Sequence, residues 1–229
     1  EMCIRDSIKI VKEKLLEIKN LKFKYNDDLV LDDINFDVYR GDYIALIGSN
    51  GAGKSTLVKL ILNQLKPLEG TVSFYTENGI ENIGYVPQLS VPSSLEFPIT
   101  VSELLSLALY PKNKGFRKLK SYHKEKITNA LNLVGMNEYR DRLYTELSGG
   151  QRQRILIAKT LVATPEFLIL DEPMTGVDKE SKEALFHLLS HINKQHNITI
   201  LMITHNLEEI EDNVNKVYEI KDKKVREVK

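Results

Sequence analysis

Nine consecutive residues, Gly48-Ser49-Asn50-Gly51-Ala52-Gly53-Lys54-Ser55-Thr56, hold the densest chemistry in the chain. Their spacing, G-x-x-x-x-G-K-[ST], is that of a loop that wraps phosphate groups. The glycines let the backbone curl until its N–H groups point inward at phosphate oxygens, and a helix behind the loop adds the positive end of its dipole. Lys54 would reach the β and γ phosphates of a nucleotide, and Ser55 would ligate Mg²⁺. A pair of carboxylates, Asp171-Glu172, closes the apolar run Phe167-Leu168-Ile169-Leu170. Solvation explains adjacent acids poorly there, because the carboxyl end of a buried parallel strand is where ligands bind in an open α/β sheet. His205 follows a second apolar run, Ile198 to Ile203, expected to lie beside the first. Ser148-Gly149-Gly150-Gln151 opens a helical pattern: Ser148 stands at the N-cap, and the two glycines leave the first backbone N–H groups unobstructed for an anion. His187 and His191 could clasp a zinc ion, but they lie off the apolar face of their helix and are read as surface residues.

Apolar periodicity supplies the elements that must position these groups. Leu16, Ile18, Leu21, Phe23 and Tyr25 alternate with polar neighbours, which predicts a half-buried strand, and Ile34, Phe36 and Val38 predict its partner. Tyr25, at the strand end, could stack on a base or pack under a loop, and spacing alone favours packing. Arg40-Gly41-Asp42 turns the chain into the buried strand Tyr43-Ile44-Ala45-Leu46-Ile47 that feeds the glycine-rich loop. Beyond it Leu57, Leu60, Ile61 and Leu65 keep helical spacing until Lys66-Pro67, and short strands follow at Thr71–Tyr75 and Ile83–Val86. Prolines and serines from Pro87 to Pro98 mark a loop opening a different subdomain. The pattern then turns helical, first at Val101, Leu104, Leu105 and Ala108, then at Ile127, Ala130, Leu131 and Val134. The basic segment Lys112 to Lys126 is a solvated linker or helix face. Further helices are predicted around Ile155–Val162 and Ala184–Ile192, and closing strands at Val217–Ile220 and Lys223–Val228.

With 229 residues the chain can bury a full core. Its 32 basic and 32 acidic residues balance, so no broad electrostatic grip on nucleic acid is expected. The apolar runs are strand-sized, and any membrane role would come through a partner. The single cysteine, Cys3, excludes an intramolecular disulfide or a cysteine-based metal cage. Residues 1–7, Glu1-Met2-Cys3-Ile4-Arg5-Asp6-Ser7, look like a translated sequencing adapter, so native sequence is expected to resume near Ile8.

Together these motifs resemble the nucleotide-binding subunit of ATP-binding cassette (ABC) transporters, from Leu15 onward and in the family's order. Gly48 to Thr56 matches Walker A, Gln88 the Q-loop, and Leu147-Ser148-Gly149-Gly150-Gln151 the LSGGQ signature. Phe167 to Glu172 matches Walker B, Thr175-Gly176-Val177-Asp178 the D-loop, and His205 the switch histidine. The resemblance implies an α/β P-loop NTPase core with an antiparallel β subdomain and a helical subdomain inserted over about residues 88–150. It implies ATP and Mg²⁺ as ligands, Tyr25 stacking on adenine, and Ser55, Gln88 and Asp171 organising the metal. Glu172 would be the general base, with His205, Lys54 and Gln88 completing the catalytic set. Ser148 to Gln151 would bind the γ-phosphate held by a second copy of the chain in a head-to-tail homodimer, and Asp178 would communicate across the joint. Implied partners are polytopic permease subunits and an extracytoplasmic substrate-binding protein, which would place the chain at the cytoplasmic face of the cell membrane.

The stretches Val86-Pro87-Gln88 through Phe97-Pro98-Ile99-Thr100-Val101 and Glu172 through Asp178 look like the zinc and manganese uptake branch, although Met174 stands where phenylalanine is expected. The alternatives are a cassette serving siderophores or another cargo, a soluble ABC ATPase outside transport, and an ATP-regulated module without turnover. The soluble kinds usually carry a long coiled-coil insertion or a second cassette, and neither pattern is present; intact Glu172 and His205 argue against the last.

Overall fold

The computed structural model describes residues 12–76, 79–88, 98–109, 121–205 and 214–229. The adapter-like residues 1–7 with Cys3, most of the Pro87–Pro98 loop and the basic residues 112–120 lie outside them. Two sheets form the frame. In the first, β1 (Lys14–Tyr25) is central, pairing antiparallel with β2 (Asp28–Tyr39) on one side and β4 (Glu69–Phe74) on the other. The first half of β1 is buried on both faces: Leu15 is fully enclosed along with Leu16 and Ile18 in one apolar core, which alternation alone did not predict.

The second sheet has the order β5-β6-β7-β3-β8-β9, made of β5 (Ile83–Val86), β6 (Phe167–Asp171), β7 (Thr199–Thr204), β3 (Tyr43–Ile47), β8 (Lys216–Lys221) and β9 (Lys224–Glu227). The first five run parallel, and β9 returns antiparallel as the edge. β3, β6 and β7 are buried at every residue, the signature of parallel strands covered on both faces. Each enclosed Leu or Ile contributes about 1.5–3 kcal/mol.

Helices cover the sheet. α1 (Lys54–Ile61) stops short of the predicted Lys66-Pro67. Asn63 adopts a left-handed φ of 54°, its amide donates to the Leu60 carbonyl and Gln64 N–H to Lys59. This double return of hydrogen bonds ends the helix before proline could. Between β5 and β6 the described elements are helical: α2 (Val101–Ser106), α3 (Ser121–Leu133) and α4 (Gly149–Leu161). α5 (Lys179–His196) joins β6 to β7. One apolar core packs these helices on one face of the parallel sheet; a second lies between its other face, α1 and the antiparallel sheet.

The amino-terminal ends of β3, β7 and β8 are tied by polar groups. Asp42, with a fully enclosed side chain, accepts from Lys216 Nζ at 2.8 Å, Lys12 Nζ at 2.9 Å and the Tyr39 amide at 3.1 Å. Burial opposes its ionisation, but the Lys216, Lys12 and Tyr39 donors outweigh it and hold the carboxyl below its ordinary value. Asn193 on α5 donates to the carbonyls of Gly41 at 3.0 Å and Ile198 at 2.9 Å, fixing the turn beside it. Asp42→Asn is expected to destabilise the protein by about 2–4 kcal/mol in urea denaturation at pH 7, less than a fully enclosed pair because both lysines reach water. A depressed carboxyl stabilises the fold above its unfolded pKa, so the difference between wild type and variant should shrink as pH falls below about 4.

Candidate functional site

Parallel pairing brings the carboxyl ends of β6, β7 and β3 to one edge of the sheet, and the reactive side chains gather there. Tyr25, Asn50, Gly51, Gly53, Lys54, Ser55, Thr56, Gln88, Asp171, Glu172 and His205 line a single cleft of about 530 Å³. A groove of about 640 Å³ at the opposite end of the sheet, between α3 and the start of β6, holds the Arg40–Glu166 ion pair and none of the predicted residues. Volume alone would have chosen wrongly; convergent polar groups choose the first.

The loop between β3 and α1 has little freedom. A Cβ on Gly48 would sit 2.8 Å from the Ile220 carbonyl oxygen of β8. Gly53 precedes α1 at φ 104°, and a Cβ there would meet Leu31 Cδ2 at 2.9 Å. Ala52 N–H donates to Ser49 O at 3.1 Å, and Lys54 Nζ, almost enclosed, donates to the carbonyls of Gly48 at 2.7 Å and Ser49 at 3.0 Å. No side chain caps α1, so its first N–H groups face the cleft as an anion site.

Asp171 and Glu172 part company at the end of β6. Asp171 is buried, and burial raises its pKa; the Tyr85 hydroxyl, donating at 3.3 Å, offsets this in part, while the neighbouring Glu172 charge adds to the rise. Burial also pushes the Tyr85 phenol up to about 12, so it stays a proton donor. Glu172 takes a left-handed φ of 46°, which turns its carboxylate back over the cleft. Its Oε2 lies 3.0 Å from Thr175 Oγ1, 3.2 Å from His205 Nδ1 and 3.5 Å from Gln88 Nε2. Ser55 hydroxyl, Asp171 carboxylate and the Gln88 amide oxygen offer the cleft an all-oxygen donor set, which suits a hard divalent cation that keeps several waters.

Ser148, Gly149, Gly150, Gln151 and Asp178 are not brought to this cleft. Ser148 caps α4 in a reciprocal box: its hydroxyl accepts from the Gln151 amide at 3.3 Å, and Gln151 Oε1 accepts from Ser148 N–H at 2.9 Å. Asp178 caps α5, and the amide and hydroxyl of Ser181 hold its carboxyl below the ordinary value. A Cβ on Gly150 would lie 2.9 Å from the Ser181 side chain, so the first turn of α4 packs directly on the start of α5. Met174 is buried, which puts the departure from phenylalanine in the core. His187 and His191 are exposed, and no group of three or more His, Cys, Asp or Glu among the described residues could hold a metal ion.

Two contributors escaped the sequence reading. Tyr85 is the polar interruption of an apolar strand, a signal that register with β6 alone makes meaningful. Thr175 stood inside a recognised motif but had no role until its hydroxyl was seen on Glu172. Tyr25 is 43% exposed, meets Phe23 in a T-shaped contact with centroids 4.8 Å apart, and lines the cleft.

Fold and site together define a nucleotide-binding cassette of the P-loop kind. The family model described as ABC transporter matches residues 31–175. The zinc uptake system ATP-binding protein ZurA of Listeria monocytogenes is 41% identical over 213 residues, covering 91% of this chain and 83% of ZurA. The high-affinity zinc uptake system ATP-binding protein ZnuC of Bacillus subtilis is 40% identical over 206 residues, 89% of each. The solved structure of CbiO1 from Clostridium perfringens, part of the ABC transporter complex CbiONQ, superposes with a TM-score of 0.82 at 30% identity over 94% of this chain and 88% of that one. The chain belongs to the ABC transporter family and is an ATPase cassette of it.

Gly53→Ala should leave the fold intact by circular dichroism yet weaken binding of a fluorescent ATP analogue at least tenfold, since about 1–2 kcal/mol of left-handed strain joins a clash with Leu31.

Proposed function

We propose that this cassette powers an importer for a divalent metal ion, zinc or manganese, by hydrolysing ATP at a site completed by a second copy of the chain. What carries the chemistry is the convergence of Lys54, Asp171, Glu172 and His205 on one cleft; what carries the cargo is the relatives' names, ZurA and ZnuC among zinc uptake systems. Tyr25 stacks on adenine, a contact of about 1–3 kcal/mol. Residues Gly48 to Thr56 hold the phosphates through backbone N–H groups, and Lys54 exchanges its loop carbonyls for the β and γ phosphate oxygens. Ser55 and Asp171, with Gln88, hold Mg²⁺, which when bound offsets phosphate charge.

Glu172 is the general base. It takes a proton from water as the water oxygen bonds to the γ-phosphorus and the bridging bond to ADP breaks, giving ADP and phosphate. His205 contacts the γ-phosphate and fixes the geometry of the transition state. Ser148 to Gln151 lie outside the chain's own cleft at a helix start where Ser148 and Gly149 are exposed, which supports their serving the γ-phosphate of the opposite copy, with Asp178 at the joint. ATP then favours the closed pair and hydrolysis releases it, a shift set by differential affinity for the two states.

No described helix is long and apolar enough to cross a membrane. In this proposal a polytopic permease supplies the membrane path, an extracytoplasmic protein delivers the metal, and the cassette sits on the cytoplasmic face.

Glu172→Gln should bind ATP with wild-type affinity, lose at least a hundredfold in turnover, and collect as an ATP-bound dimer on size exclusion. Wild-type turnover in that variant would remove Glu172 as the base. ATP-dependent zinc or manganese uptake by vesicles holding the whole transporter tests the cargo.

A further inference from the structure

We infer that Thr175 is a positioning residue for Glu172, fixing which carboxylate oxygen takes the proton from water; this rests on Glu172 being the base. All three groups on the Glu172 side chain meet the same atom, Oε2, and among the described residues no donor reaches Oε1. The three are unequal. Gln88 Nε2 stands at 3.5 Å, the limit of a hydrogen bond, and His205 Nδ1 at 3.2 Å. Thr175 Oγ1 donates at 3.0 Å, the shortest of the set.

Thr175 is also joined to Glu172 through the backbone. Its amide donates to the Glu172 carbonyl at 3.2 Å, closing a turn around a residue held at φ 46°. An L residue in that region carries a cost of about 1–2 kcal/mol and persists only where its surroundings determine it. Threonine, branched at Cβ, has few χ1 positions, so its hydroxyl arrives already aimed. The turn sets the backbone of Glu172 and the hydroxyl sets its carboxylate. With Oε2 anchored by Thr175, the carboxylate is held in one orientation, and Oε1 is the oxygen assigned to accept the proton.

Steady-state ATPase assays on the purified full chain separate this role from a packing role. Thr175→Val keeps the shape and removes the donor, and should lower kcat about tenfold with the KM for ATP within about twofold, the loss of one hydrogen bond to a charged group. Thr175→Ser should restore kcat to within about threefold of wild type, and adding Thr175→Val to Glu172→Gln should lower the residual rate no further. The inference is overturned if Thr175→Val keeps wild-type kcat, if serine fails to rescue it, or if the double variant falls as far below Glu172→Gln as the single falls below wild type. Full activity of Glu172→Gln would instead remove the base itself.

Discussion

The parallel register of β6, β7 and β3 governs everything reactive in this protein. It stacks Asp171 against Ile203 and Ile47 against Thr204, so the groups that follow each strand leave the sheet along one edge. Such a sheet needs both faces dry, because its strands carry no polar side to present to water. The two cores meet that need, one under the helices and one under the antiparallel sheet. The edge is therefore rigid, and a rigid edge can hold ionisable groups in positions that water would otherwise relax.

Charge at that edge is arranged by depth. Asp171 remains in the sheet, buried and pushed toward its neutral form, with Tyr85 and the neighbouring lysines Lys54 and Lys59 pulling the other way. A cation bound beside it would complete that balance. Glu172 is lifted out of the strand by its left-handed backbone and meets Thr175, His205 and Gln88 through its Oε2. Two adjacent carboxylates thus acquire different environments from a single change in φ, the physical condition for giving them different tasks.

The segment after Glu172 serves two masters. Thr175 bonds the base of the chain's own cleft; Gly176, three ångströms or so from where a Gly149 side chain would begin, and Ser181 press on the first turn of α4. A helix start that faces outward is thus seated on the same few residues that seat the glutamate. In the head-to-tail pairing proposed above, a displacement of one would be felt by the other, through close packing that leaves no slack.

Much of this was legible in the residue order. The loop from Gly48 to Thr56, the acidic pair behind Phe167–Leu170, the capped start at Ser148 and the buried runs of β3, β6 and β7 are local patterns, set by glycine conformation, capping and apolar periodicity. Local pattern fails where a partner is distant in the chain. Leu15, outside the alternation that marked β1, is fully enclosed by an apolar core built from distant segments. α1 ended at Ile61 because a backbone bond pattern around Asn63, invisible in periodicity, intervened before Lys66-Pro67. Tyr85 on Asp171 and Thr175 on Glu172 required strand order and a left-handed turn. The sequence by itself determined which chemistry is available and on which elements it rides; only the tertiary structure decided which oxygen of Glu172 is held, what shields Asp171, and that the signature lies outside the cleft, since each depends on distances between groups that periodicity does not encode.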